Sequence, residues 1–146
     1  MKAPFTWILI LALILSSCTS DEDNSENQTI NPKSVTDCDL TIEANTLISI
    51  CVDGTDLASP NEVITFASKF FSKGDVVSNS QFLWAIESGS MQILTVENTF
   101  DGTVAKSVAT IQFNSDYSGG GLITVRAENN RGIGTIEHGI ELGSNQ

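Results

Sequence analysis

Residues 82–90 read Phe82-Leu83-Trp84-Ala85-Ile86-Glu87-Ser88-Gly89-Ser90. Large apolar side chains stand at 82, 84 and 86, and a strand places every second residue on one face. A helix would scatter the same three around its axis. Ser88-Gly89-Ser90 then supplies turn chemistry. The stretch therefore predicts a strand whose Phe82, Trp84 and Ile86 face a core. Burying side chains of this size stabilises by roughly 1.5–3 kcal/mol each.

The same texture extends in both directions. Leu40–Ile42, Leu47–Ile50, Val63–Ala67, Gln92–Glu97, Val108–Phe113, Leu122–Ala127 and Gly134–Leu142 are short apolar or alternating runs. Ile111 with Phe113, and Ile123 with Val125 and Ala127, share inward faces in the same way. Between the runs lie Val52-Asp53-Gly54, Ser72-Lys73-Gly74-Asp75, Phe100-Asp101-Gly102 and Ser118-Gly119-Gly120-Gly121, all rich in turn formers. The nearest approach to a helical segment, Pro60 to Phe71, carries Val, Ile, Thr and Phe, which favour strand. Seven or eight short strands in about 105 residues predict an all-β antiparallel sandwich.

Two stretches resemble a known family. Phe82 to Ser90 resembles the third strand of PKD-like modules, with its core tryptophan followed by a glycine-containing turn. Gly119 to Gly132 (GGGLITVRAENNRG) resembles their penultimate strand, where a glycine leads into alternation and an asparagine precedes a glycine. With the spacing, the resemblance spans about residues 47–142 and implies an Ig/PKD-like β-sandwich of the kind common in exported Bacteroidetes proteins. Two positions depart from that pattern: Glu87-Ser88-Gly89 replaces an acidic double-glycine turn, and Leu122 stands where many members place tyrosine.

The chain begins differently. Met1-Lys2 is a short positive region, and Phe5 to Leu15 is an 11-residue apolar run. That suits a signal peptide, whereas crossing a bilayer takes about 20 apolar residues. The run closes on Leu15-Ser16-Ser17-Cys18, which resembles the bacterial lipobox: small residues admit the peptidase, and the Cys18 thiol accepts a diacylglycerol thioether. Residues 1–17 are thus expected to be removed and Cys18 to anchor the chain in a membrane. Ser20, Asp21, Glu22 and Asp23 follow, and resemble the signal that sends Bacteroidetes lipoproteins to the cell surface across the outer membrane. Residues 18–37, polar and holding Pro32, read as a flexible acidic tether. The sandwich is expected over 38–143.

Cys38 and Cys51 remain, an even pair in an oxidising compartment. If Ala44-Asn45 is a two-residue loop, Glu43 opposes Thr46, and five residues further out on each side Cys38 opposes Cys51. That rung is a non-hydrogen-bonded one, where side chains approach closely. A 38–51 disulfide is the expectation.

Composition and motifs narrow the chemistry. The expected mature chain carries 18 acidic and six basic side chains, a net charge of −12. Nucleic-acid binding relies on clustered Lys and Arg, so no nucleic-acid partner is expected. The single histidine, His138, shares its strand face with Ile136 and Ile140 and reads as a half-buried structural residue. Zinc would want four N or S ligands, more than Cys38, Cys51 and His138 offer. Asp53, Asp56, Glu62, Asp75, Asp101 and Asp116 lie in turns without calcium-loop spacing. Gly119-Gly120-Gly121 lacks the lysine and helix of a phosphate loop, and no serine occupies a nucleophile elbow. No catalytic residue, metal or cofactor is expected. The expected function is a non-enzymatic, surface-displayed binding module for protein or glycan, or else an accessory subunit of an envelope complex.

Overall fold

The computed structural model describes residues 30–144. Eight strands form two four-stranded sheets that face each other as a β-sandwich. They are β1 (Ile48–Asp53), β2 (Leu57–Ala58), β3 (Val63–Ser72), β4 (Gln81–Ser88), β5 (Met91–Asp101), β6 (Val104–Phe113), β7 (Gly121–Asn129) and β8 (Gly132–Leu142). One sheet has the order β1-β3-β6-β5, the other β2-β8-β7-β4. All neighbours are antiparallel except β2 with β8.

Alternation decides which side chains fill the space between the sheets. Ile64, Phe66 and Phe70 of β3, Ile111 and Phe113 of β6, and Ile123, Val125 and Ala127 of β7 are buried there. Trp84 joins them from β4, with Phe82 and Ile86 packed at the margin. Trp84 also ties the sheets together, since its indole N–H donates to Ser107 Oγ of β6 at 2.9 Å. Ser107 lies opposite Ser68 of β3, and both are buried. Ser68 in turn donates to the Cys51 carbonyl. A buried indole N–H would be costly unpaired, so the Trp84–Ser107 bond helps fix where the sheets meet.

Two close approaches need glycine. A side chain at Gly54 would place its Cβ 2.0 Å from the Phe66 ring. The backbone therefore slides over that ring as it leaves β1 for β2 in the other sheet. At the opposite sheet change, Gly89 has φ +90° and its missing Cβ would stand 2.8 Å from the Gly121 Cα. The turn after β4 and the start of β7 thus touch backbone to backbone.

Several expectations change. Leu40–Ile42 forms no ladder, although the reversal at Ala44-Asn45 is present, closed by a Thr46 N–H bond to the Glu43 carbonyl. The short β2 was not anticipated, because two residues carry no periodicity. β3, β5 and β6 run further than their apolar patterns. The turn at Gly102-Thr103 carries the β5–β6 ladder to Asp101 and Val104, and β3 follows alongside.

The tether is also shorter at its domain end than the sequence suggests. β1 covers only Ala67–Ser72 of the β3 edge, and the preceding segment takes over beside it. Pro32 sits in a turn closed by Ser34 N–H to Asn31 O. The Val35 N–H then donates to Thr65 O, the Thr65 N–H to Ser34 Oγ and the Thr65 hydroxyl to Val35 O. Lys33 pairs with Glu62 at 2.8 Å and Lys69 with Asp37 at 2.6 Å. Residues 31–37 are therefore a strap on the sandwich: backbone groups left open on β3 find partners there.

The strap is sensitive to acid. Hydrogen bonding to Lys69 holds the Asp37 carboxyl below its ordinary value. Burial pushes Glu62 up, but bonds from Lys33 and the Ser59 N–H outweigh it and leave the group lowered. Lowered carboxylates contribute stability that is present above their unfolded values and lost as pH falls through the folded ones, here below about pH 4. Hydrogen exchange at the Val35 amide, corrected for intrinsic rate, should accelerate in that range before core amides such as that of Val125 do. Equal protection of both down to acid pH would contradict this account.

Candidate interaction surface

The strands fix two poles. One holds the strap, the β2–β3 turn and the chain after Leu142. The other collects the Ala44-Asn45 reversal, the loop from Lys73 to Ser80, and the turns at Gly102-Thr103 and Asn130-Arg131. Ile30, the first described residue, lies at the first pole beside Val63 and Thr65.

Asp75 organises this far pole. One carboxylate oxygen accepts the Val76 N–H at 2.7 Å and the Asn79 amide at 3.0 Å. The other accepts the Asn130 N–H at 3.0 Å, which joins the β3–β4 loop to the β7–β8 turn. The Asn79 bond, then those from Val76 and Asn130, hold the Asp75 carboxyl below its usual range. Lys73 adds a link to the Ala44 carbonyl. The short 3₁₀ turn Val77–Asn79 presents Val76 to solvent beside it.

A shallow, open groove leaves this pole along the outer face of β4 and β7. One depression of about 430 Å³ is lined by Gln81, Phe82, Leu83, Arg126 and Glu128, and a smaller one of about 180 Å³ adds Asn79 and Asn130. Gln81 and Glu128 line both, so the two are continuous. Leu83 is 64 % exposed there, and the Arg126 guanidinium is paired with the Glu128 carboxylate. The surface thus offers amide donors and acceptors, one ion pair and the apolar side chain of Leu83. It can bind by hydrogen bonds and packing, and it carries no nucleophile–base pair.

His138 is placed as the alternation implies. Its ring is 14 % exposed, packs edge-on against Phe66 and has Nε2 3.1 Å from the Thr55 carbonyl. Asp56 stands 3.4 Å from the same nitrogen. The ring thus braces the β1–β2 connection against the core. Tyr117 was missed in the sequence. It lies in the β6–β7 loop, packs edge-on against Phe113 and donates its hydroxyl to the Ile140 carbonyl of β8 at 2.7 Å. An isolated aromatic between turn residues carries no periodicity, so only the fold reveals its role.

Cys38 and Cys51 are joined by a disulfide, with Cα atoms 6.2 Å apart. That is wider than a ladder rung, because the segment from 38 to 43 is not hydrogen-bonded to β1 as a strand. The turn acids serve their loops: Asp53 accepts the Gly54 N–H, Glu62 the Ser59 N–H, and Asp116 the Ser90 hydroxyl. Asp101 sits beside Lys106 and Thr99. Among the described residues no three His, Cys, Asp or Glu side chains come together as a metal-binding group. Gly119 and Gly120 adopt positive φ in a turn. Cys18, Ser20, Asp21, Glu22 and Asp23 lie outside the described residues. No protein-family model matches the chain, and neither does any curated protein.

Proposed function

We propose that this chain is a lipid-anchored, non-enzymatic binding or adhesion module of the outer membrane, displayed at the cell surface and taking a protein or glycan ligand. The observation that carries this reading is the polarity of the domain. The strap and the first described residue, Ile30, lie at one pole, while the Asp75-organised loops and the groove beside them open at the other. Strand orders β1-β3-β6-β5 and β2-β8-β7-β4 correspond to the ABED and GFC sheets of Ig-like sandwiches, whose end loops are the usual contact sites. This supports the Ig/PKD-like resemblance. Of the six basic side chains of the expected mature chain, Lys33, Lys69 and Arg126 are held in ion pairs, which disfavours a nucleic-acid ligand. No cofactor enters the reading.

Protease shaving of intact cells tests it. Wild-type protein should be cleaved from the surface, whereas Cys18→Ala should lose its membrane attachment. Protection of the wild-type protein would overturn surface display. A second reading, an accessory subunit of an outer-membrane uptake or secretion complex, is favoured by the uncovered edges of β4 and β5. Recovery of one stoichiometric envelope protein after mild cross-linking would select it over the binding module.

A further inference from the structure

β5 is an edge strand of unusual regularity. A bulge between Ile93 and Thr95 interrupts it at one end, and the two-residue turn at Gly102-Thr103 ends it at the other. Gly102 has φ +57° at the first central position, as a type II′ hairpin turn requires. The regular stretch is therefore Thr95–Asp101, seven residues with Asn98 at the centre.

The turn fixes which backbone groups are free. Asp101 and Val104 close it as a hydrogen-bonded pair, so Thr99/Lys106, Glu97/Val108 and Thr95/Thr110 are bonded rungs as well. The intervening Val96, Asn98 and Phe100 must aim their N–H and C=O groups away from β6, at the open edge. Their side chains turn toward the other sheet, yet β4 does not cover them: Val96 is 41 % and Phe100 42 % exposed. By contrast, the β1 flank is guarded by the 38–51 disulfide and the Ser49 hydroxyl bond to Thr41.

We propose that this edge pairs with the same edge of a second copy, antiparallel about a two-fold axis through Asn98. The register is self-complementary. Asn98 faces Asn98 of the second copy, and Val96 faces Phe100 twice, a β-branched residue against an aromatic. On the outer face Glu97 meets Thr99 and Thr95 meets Asp101, so no like charges stand opposite.

The next strand completes the charge pattern. Lys106 forms no ion pair among the described residues and lies beside Lys69 on one rung. Across the dyad that rung continues through Thr99 into Glu97 of the second copy. Two strand spacings separate Lys106 from it, about 10 Å, within the combined reach of the two side chains. The pairing thus brings a carboxylate of the second copy toward each Lys106, in addition to Asp37 and Asp101 of its own chain, and merges two four-stranded sheets into one of eight. This inference does not depend on membrane anchoring.

Cross-linking of the full-length protein in mild detergent tests it. In a Cys18→Ser background, Asn98→Cys carries the only free thiol, and a short bis-maleimide should give a covalent dimer of twice the monomer mass. Glu137→Cys, exposed on the outer face of β8, should stay monomeric. No dimer at position 98, or as much at 137, would overturn the pairing. Glu97→Lys should reduce the Asn98→Cys yield several-fold, and adding Lys106→Glu should restore it. A double variant as weak as the single one would overturn the register. Both positions are exposed or half-buried, and an intact 38–51 disulfide with unchanged ellipticity shows that each variant has folded.

Discussion

Trp84→Ala should lower the stability of the domain by about 3–5 kcal/mol, enough to unfold a marginal sandwich at moderate temperature. Two losses combine. The substitution leaves a cavity between the sheets where the indole now packs among buried residues. It also orphans the Ser107 hydroxyl, which is fully buried and accepts the Trp84 N–H. Trp84→Phe separates the two, since it retains most of the volume and removes only the hydrogen bond. Its cost should be about 1–3 kcal/mol. Urea unfolding followed by circular dichroism measures both. A Trp84→Ala loss under about 1 kcal/mol would show that the indole does not hold the sheets together.

The second large effect is expected at the disulfide. The bridge spans a sequence separation of 13 residues, and closing a loop of that size removes about 3 kcal/mol of unfolded-state entropy in the chain-entropy account. The double variant Cys38→Ser/Cys51→Ser should lose about that much. Its consequences should also be local: the strap and the Ala44-Asn45 reversal should exchange amide hydrogens faster while the centre of β7 stays protected until global unfolding. A loss below about 1 kcal/mol would mean that the segment is held by its hydrogen bonds and ion pairs alone.

Much of this fold was legible because alternation and turn chemistry act locally. Phe82, Trp84 and Ile86 point inward as their spacing requires, and so do Ile111, Phe113, Ile123, Val125 and Ala127. The disulfide was legible as an even cysteine pair brought together by the reversal at Ala44-Asn45, but the ladder expected between its arms does not form. What escaped depends on groups distant in sequence. Residues 31–37 look like tether because their composition is polar, and only the uncovered half of β3 gives them partners. Tyr117 gains its role from a carbonyl 23 residues away. Asp75 looked like one turn acid among several, yet it bridges two loops 55 residues apart. The far-pole surface was expected only as loops in general, since strand patterns do not say which turns share an end.

The disulfide also decides how the domain behaves under load. A pull on the chain ahead of Asn31 would peel the strap contact by contact, from Lys33–Glu62 through Thr65 to Asp37–Lys69. At Cys38 the peeling stops, because the sulfur bridge hands the force directly to Cys51 in the middle of β1. From there it runs along the strand and loads the rungs shared with β3 together, not one after another. The dozen residues bypassed by the bridge, about 40 Å of extended chain, never come under tension. Once the strap has peeled, a domain held by this end yields further length only when the sheet itself shears.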